Sequence, residues 1–165
     1  MPPMAPNTPI DADVLVVGAG PAGLALGIAL ADAGLQVKLL EQQGAAALAE
    51  PPEDGREIAL THRARRIMTE LGLWDRLSAD AVSPLNEARV VDGSSPLVLH
   101  FGEQRAAADG PLGWLVPNHL IRKAAWQAAA TRSGVRVCCD ARVTAIERDA
   151  HAARVTLADG RRLSA

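Results

Sequence analysis

The sequence predicts an α/β protein in which a parallel βαβ sheet is joined to an antiparallel β-meander. The apolar run Val14–Val17 leads directly into a glycine-rich turn, and a helical run then leads to a second apolar strand ending at Glu41. Alternating strands after residue 142 contain the hairpin dipeptide Asp159-Gly160, which predicts the meander. The βαβ pattern is typical of Rossmann-like nucleotide-binding sheets.

The first βαβ unit is predicted element by element. The β-branched run at Val14–Val17 indicates a strand buried on both faces of a parallel sheet. Residues 24–33 are helix formers, and Gly34 follows them as the expected C-terminal cap. The second strand covers residues 37–41.

Each residue of the glycine turn has a predicted task. Gly18 permits the tight turn out of the strand, Gly20 leaves the backbone open to a pyrophosphate, and Gly23 lets helix and strand pack closely. Pro21 suits the first helical turn, where its missing N–H is not needed. With Ala22, these residues surround the helix N-terminus, whose N–H groups and dipole attract phosphates.

Glu41 completes the fingerprint, because a carboxylate at the end of the second strand accepts hydrogen bonds from a ribose diol. Its charge repels a 2′-phosphate, which disfavours NADP. Gln42, the next residue, is assigned to the same site. The pattern predicts a dinucleotide site, but by itself it leaves FAD and NAD both open.

Composition limits the functional classes. The chain has 165 residues, of which 48% are apolar, enough for one modest domain with a core. A net charge of −2 and only 2% aromatic residues give no basis for a nucleic-acid partner. No apolar run approaches the roughly 18 residues of a membrane span. Cys138 and Cys139 are adjacent, which favours two reduced thiols in a cytoplasmic protein.

The sequence predicts a disordered N-terminal tail and, after the first βαβ unit, a capped helix. Residues 1–12 have no signal-peptide pattern and are predicted to be a disordered tail. Thr61 is expected to cap a helix over residues 62–71, whose three arginines form either a solvated face or an anion patch, the solvated face being favoured. These arginines are Arg63, Arg65 and Arg66.

Arg56 lies near the end of a long loop. It is open to two interpretations, a solvated side chain or a contact to cofactor phosphates.

The second half combines a separate sheet with a return to the nucleotide-binding pattern. Strands at 86–91, 97–101 and 114–116 are predicted to begin an inserted sheet within residues 82–117. Asn118 is expected to cap a helix over 119–132, after which residues 135–138 rejoin the parallel sheet. Strands at 142–149, 153–157 and 161–165 form the meander. The predicted nucleotide-binding domain therefore combines 13–81 with 118–165.

No catalytic constellation is visible, so catalytic residues are not assigned. The four histidines are scattered without ligand spacing, which gives no prediction of a metal site. The sequence also contains no nucleophile elbow, no P-loop and no Cys-x-x-Cys pair.

Several stretches together resemble the ubiquinone-biosynthesis hydroxylases, which are class A flavin monooxygenases of the p-hydroxybenzoate hydroxylase fold. The resemblance runs from about residue 13 to the end. It is carried by the glycine turn, Glu41, Arg56-Glu-Ile-Ala-Leu-Thr-His-Arg-Ala-Arg-Arg-Ile67, Leu71-Gly-Leu-Trp-Asp75 and Leu112-Gly-Trp-Leu-Val-Pro-Asn-His-Leu-Ile-Arg122, followed by Trp126-Gln127.

The resemblance implies FAD as cofactor, with Gly18 to Gly23 on its pyrophosphate and Glu41 on the adenosine ribose. Arg56 matches an arginine that contacts the FAD phosphate and ribityl region. Asn118 matches a polar FAD contact, although capping explains it equally well, and the backbone of Val143 matches a contact to adenine. The family uses NAD(P)H and O₂ to hydroxylate an electron-rich aromatic ring.

The resemblance also has implications for the length of the protein, its partners and its location. Family members are more than twice as long, so the chain is expected to be an N-terminal part that holds a partial substrate-domain sheet and is not active alone. Expected partners are an aromatic substrate, with or without a polyprenyl tail, O₂, and other quinone-biosynthesis proteins, in the cytoplasm or at the inner membrane surface. Another FAD-dependent oxidoreductase and a non-catalytic FAD-binding fragment remain the alternatives.

Overall fold

The computed structural model describes residues 10–93, 97–102 and 110–165, which divide into two compact units. Unit 1 combines the chain up to Glu50 with Ala125–Ala165, and unit 2 is Pro51–Ala124. The domain boundaries predicted from the sequence stay a prediction. Within the described ranges, no helix has both the length and the apolar character needed to cross a membrane.

The elements follow the predicted α/β order. The helices are α1 (Pro21–Asp32), α2 (Ala45–Ala49), α3 (His62–Glu70) and α4 (Asn118–Ala130), with 3₁₀ turns at Trp74–Arg76 and Ala79–Ala81. The strands are β1 (Val14–Val17), β2 (Val37–Leu40), β3 (Glu57–Leu60), β4 (Ser83–Leu85), β5 (Ala88–Val91), β6 (Val98–Phe101), β7 (Gly113–Pro117), β8 (Val135–Cys138), β9 (Val143–Arg148), β10 (Ala153–Leu157) and β11 (Arg162–Ser164).

Unit 1 contains the predicted parallel sheet, in the order β1-β2-β8. The central strand β2 is the most buried, because Leu39 and Leu40 are at most 1% exposed. The expectation that β1 is buried on both faces is wrong, since Val17 at its end is 51% exposed. Helix α1 begins at Pro21, which occupies the early helical position expected of it, and ends before Gly34, whose φ of +92° favours glycine.

The meander is also present in unit 1, with the antiparallel order β11-β10-β9. Its core joins Leu40 of the parallel sheet to Val155 and Leu157 of β10. The predicted tail lies outside the described residues except for its last positions, and there the prediction is wrong. Asp11 donates its N–H to the Ser164 carbonyl at 2.9 Å, and Ala12 is buried.

Unit 2 differs from the expected single inserted sheet. Strand β7 pairs with β3 and β4 in an antiparallel sheet, whereas β5 and β6 pair with each other. The grouping of residues 114–116 with the two preceding strands is therefore corrected. The prediction failed because β3 and β4 were not recognised as strands. Thr61 caps α3 as expected, its Oγ1 accepting from the Ala64 N–H at 3.2 Å.

Candidate cofactor-binding site

The fold itself requires two of the glycines in the turn between β1 and α1. Gly18 has a φ of +97°, a conformation that side-chain-bearing residues rarely adopt, and its N–H donates to the Leu40 carbonyl at 2.8 Å. A Cβ on Gly23 would lie far inside van der Waals contact of the Gly18 carbonyl oxygen. These glycines therefore fix the turn against the first helical turn of α1.

The fold itself does not require a glycine at position 20. Its φ of −70° suits any residue, and a Cβ placed there would meet no protein atom within 4 Å. The space in front of Gly20 is open, and it adjoins the N-terminus of α1, which begins with Pro21 and has no side-chain cap. Uncapped N–H groups beside open space suit an anionic diphosphate, so the residues present fit a dinucleotide.

The Glu41 carboxylate lies at this turn. Glu41 is only 8% exposed, its Oε2 accepts from the Ala19 N–H at 2.7 Å, and its Oε1 accepts from the Gln43 N–H at 2.9 Å. An ionised carboxylate offers about four acceptor positions, so capacity remains for ribose hydroxyls. The hydrogen bond from the Ala19 backbone was not predicted, because the fingerprint assigns the Glu41 carboxylate to a ribose and not to the turn itself.

A cavity of about 360 Å³ lies next to Glu41 in unit 1. It brings together four residues that the sequence assigned to the cofactor, since Gly18, Glu41, Gln42 and Val143 all line it. The remaining lining residues are Val17, Leu40, Ala141 and Arg142. Arg142 was not predicted, although its position next to Val143 was an available signal. The lining thus combines apolar surface, which suits a flat base, with polar side chains, which suit a sugar.

Unit 2 brings together the other two assigned residues, Arg56 and Asn118. Asp54 Oδ2 accepts from Arg56 Nε at 2.9 Å, from Arg56 Nη2 at 2.6 Å and from Asn118 Nδ2 at 2.7 Å. The Asn118 N–H also donates to the Arg56 carbonyl at 2.9 Å. Asn118 is the first residue of α4, and its side chain bonds to Asp54.

Asp54 was missed by sequence reasoning. Hydrogen bonds from Arg56, and next from Asn118, hold the pKa of the Asp54 carboxyl well below its ordinary value. The available signal was the Asp-Gly-Arg order, because Gly55 has a φ of +68° and turns the chain back between acid and base.

All three arginines of α3 are exposed, as the favoured interpretation expected. The Arg65 guanidinium in addition lies 4.4 Å from the Trp114 ring centre and 5.0 Å from that of Trp74. Among the residues with assigned positions, no cluster of three histidine, cysteine, aspartate or glutamate side chains could hold a metal ion.

Comparisons with known proteins place this geometry in a family. The family described as "FAD binding domain" matches residues 11–164. The ubiquinone hydroxylase UbiM of Neisseria meningitidis is 42% identical over 159 residues, which are 94% of this chain and 34% of that protein. The ubiquinone hydroxylase UbiL of Rhodospirillum rubrum is 38% identical over 154 residues, 93% of this chain and 35% of that protein.

A solved flavoprotein/dehydrogenase from Cytophaga hutchinsonii has the same fold. Its TM-score is 0.67 at 26% identity, over 93% of this chain and 36% of that one. The chain thus spans about a third of the length of the curated relatives it matches. Because the family match covers nearly all of its residues, this chain belongs to the FAD binding domain family.

Proposed function

We propose that unit 1 binds the adenosine diphosphate part of FAD, with the start of α1 on the diphosphate and Glu41 on the ribose. The observation that carries this proposal is the buried Glu41 carboxylate, which is held against the glycine turn by its hydrogen bond from Ala19. The cavity beside it would hold the adenine, with Gln42 and the backbone of Val143 at its wall. Glu41 would also disfavour a 2′-phosphate at this position.

Arg56 and Asn118 are proposed as further FAD contacts in unit 2. Support comes from the family resemblance of both residues and from the hydrogen bonds that join them through Asp54. Arg56 provides a guanidinium that suits a phosphate or ribityl hydroxyl, because only part of its donor set is used by Asp54.

The reaction proposed for the protein to which this FAD site belongs is hydroxylation of an aromatic ring in ubiquinone biosynthesis. Support comes from two relatives named ubiquinone hydroxylases. FAD held by these residues would supply the two-electron chemistry between NAD(P)H and O₂, with one oxygen atom added to the ring and the other released as water. The described residues bind and orient the cofactor for this chemistry.

The proposal extends to the substrate tail, the cellular location and the partner proteins. The substrate ring would carry a polyprenyl tail, as a quinone precursor does, and the protein would work at the inner membrane surface beside other quinone-biosynthesis proteins. Binding of the chain to vesicles of bacterial lipid, measured by co-sedimentation, tests the membrane location.

Cofactor binding is tested by titrating FAD into the 165-residue chain and following the flavin fluorescence. The expected result is saturable binding that is weakened roughly tenfold or more in Gly20→Val and weakened also in Glu41→Ala. A control substitution at an exposed residue outside the proposed contacts, Glu53→Ala, should leave binding unchanged. Equal FAD binding by the unsubstituted chain and Gly20→Val would contradict the proposed site.

The reaction is tested separately with NADPH, O₂ and demethylated quinone precursors, using mass spectrometry to detect a ring hydroxylation. Hydroxylated product supports the monooxygenase. Oxidation of NADPH without oxygen insertion supports another FAD-dependent oxidoreductase. FAD binding without turnover is the result expected of the 165-residue chain by itself, because it is proposed not to be active alone.

A further inference from the structure

Asp54 is the centre of a small polar cluster in unit 2, defined here as the Asp54 cluster and comprising Asp54, Arg56 and Asn118. Its Oδ2 accepts three side-chain hydrogen bonds of 2.6 to 2.9 Å, and its Oδ1 accepts from the Arg56 N–H at 3.2 Å. The two side chains that converge on this carboxylate are the two assigned to FAD in this unit. Asp54 itself is not assigned to any role by the family resemblance.

The hydrogen bonds have a physical consequence for Arg56. Its side chain is 68% exposed, so without a partner the long, flexible side chain would sample many rotamers. Asp54 uses its Nε–H and one Nη2–H, which leaves three of the five guanidinium donors directed elsewhere. The guanidinium is therefore held in one orientation while most of its binding capacity stays available.

The Asn118 side chain is fixed by the same oxygen. One of its two amide N–H groups is used by Asp54, and its backbone N–H donates to the Arg56 carbonyl. Both the backbone and the side chain of Asn118 are thus tied to the Asp54-Gly55-Arg56 turn. The carboxylate sets the distance between a cation and an amide before any ligand arrives, which is the condition for preorganised binding.

We propose that Asp54 is a positioning residue of the FAD site, holding Arg56 and Asn118 in the arrangement that FAD binds. This inference rests on the proposed FAD-binding function. It assigns Asp54 an effect through its two neighbours and no contact with the cofactor. Removing the carboxylate therefore weakens FAD binding only while Arg56 and Asn118 are present.

A double-mutant cycle tests the inference, with FAD dissociation constants measured by flavin fluorescence on the 165-residue chain. Asp54→Ala should raise the dissociation constant roughly tenfold, and Asp54→Asn, which keeps one acceptor oxygen, should raise it less. In an Arg56→Ala/Asn118→Ala background, Asp54→Ala should change binding by less than about twofold. Glu53→Ala, which removes the neighbouring exposed carboxylate, is the matched control.

A second readout needs no cofactor. The Nε–H resonance of Arg56 in ¹⁵N NMR spectra should move toward the position of a solvent-exposed arginine in Asp54→Ala, while the thermal midpoint stays close to that of Glu53→Ala. An unchanged resonance, or a full tenfold effect of Asp54→Ala in the background lacking both neighbours, overturns the inference.

The two proposals fail in distinguishable ways. If Gly20→Val loses FAD while Asp54→Ala binds it as tightly as the unsubstituted chain, FAD binding stands and the role of Asp54 is rejected. If the unsubstituted chain does not bind FAD at all, both proposals are rejected.

Discussion

Gly20 and Gly23 lie in one turn but serve different purposes, Gly20 the ligand and Gly23 the fold. This difference gives the first prediction. Gly20→Val should fold normally, because its backbone is ordinary and no protein atom occupies the space, but a branched side chain would block the diphosphate and weaken FAD binding roughly tenfold or more. Gly23→Ala should lower the free energy of unfolding by about 3 kcal/mol or more, because its methyl group meets the backbone carbonyl of Gly18.

Thermal unfolding and FAD titration of both variants separate the two effects. The control is Glu147→Ala, at an exposed residue of β9 in the same unit. A Gly20→Val protein that unfolds at a much lower temperature would show that Gly20 serves the fold rather than a ligand.

Glu41 gives the second prediction, because its charge serves both the turn and the choice of ligand. In Glu41→Gln only one amide oxygen remains for the N–H groups of Ala19 and Gln43, so one of these donors faces an NH₂ group. The free energy of unfolding should fall by about 1–2 kcal/mol. The preference for ADP over adenosine 2′,5′-bisphosphate should also decrease, because the repulsion of the 2′-phosphate is removed.

Calorimetric titration with the two nucleotides measures that preference directly. A preference identical in Glu41→Gln and the unsubstituted chain would mean that the carboxylate does not face the ribose. Glu50→Gln, an exposed acid on the same unit, is the control for a general charge effect.

For single residues, the sequence predicts those roles that depend on neighbouring positions in the chain. Gly18, Gly23 and Glu41 lie within one fingerprint, and the structure places them together at one turn. For Asp54 the local Asp-Gly-Arg order indicates only the contact with Arg56, because its other partner, Asn118, lies 64 residues along the chain. The contact of Arg65 with Trp114 was not predicted, because Trp114 lies on a distant strand.

Among the elements, the turn between β9 and β10 gives a pH-dependent prediction. Asp149 accepts from Arg154 Nη1 at 2.6 Å and from the N–H groups of His151 and Ala152, and these bonds, with Arg154 the largest cause, lower its pKa. A carboxyl whose folded-state pKa is lowered stabilises the fold above its unfolded-state pKa of about 3.9, and this contribution is lost as the pH falls toward the folded-state pKa.

Asp149→Asn should therefore have a lower thermal midpoint than the unsubstituted chain at pH 7, with the difference shrinking as the pH is lowered from 4 to 2.5. Circular dichroism melts over this pH series provide the measurement, with Glu53→Gln as the control for removal of an exposed charge. A difference that is constant with pH would show that the carboxylate charge at the turn contributes nothing.

Element types were more predictable than strand pairings. The parallel pairing of β1 with β2, and the meander, follow from consecutive strands with clear periodicity. Strand β7 pairs instead with β3, whose four residues carry a weak pattern and lie more than 50 residues earlier. Helix α2 was missed because five residues within an alanine-rich loop give too short a window for helical periodicity.

The balance between net charge and exposed apolar area determines how the whole molecule behaves in solution. The net charge is only −2 and the pI is about 6.1, so electrostatic repulsion between copies is weak near pH 6. The β5–β6 hairpin exposes large apolar side chains on both faces, with Val90 at 53% and Leu99 at 62% on one face, and Val91 at 67% and Val98 at 40% on the other. An exposed apolar strand pair of this kind favours association between copies.

The chain should therefore self-associate with increasing concentration, more strongly at pH 6 than at pH 8.5. The double substitution Val90→Lys/Leu99→Glu should reduce association without changing the net charge, because these residues lie directly opposite each other in the hairpin and form a favourable cross-strand pair. Sedimentation velocity at several concentrations measures the effect. Association that disappears in 1 M NaCl but persists in the double variant would assign it to surface charge instead, because salt screens charges and leaves apolar contacts intact.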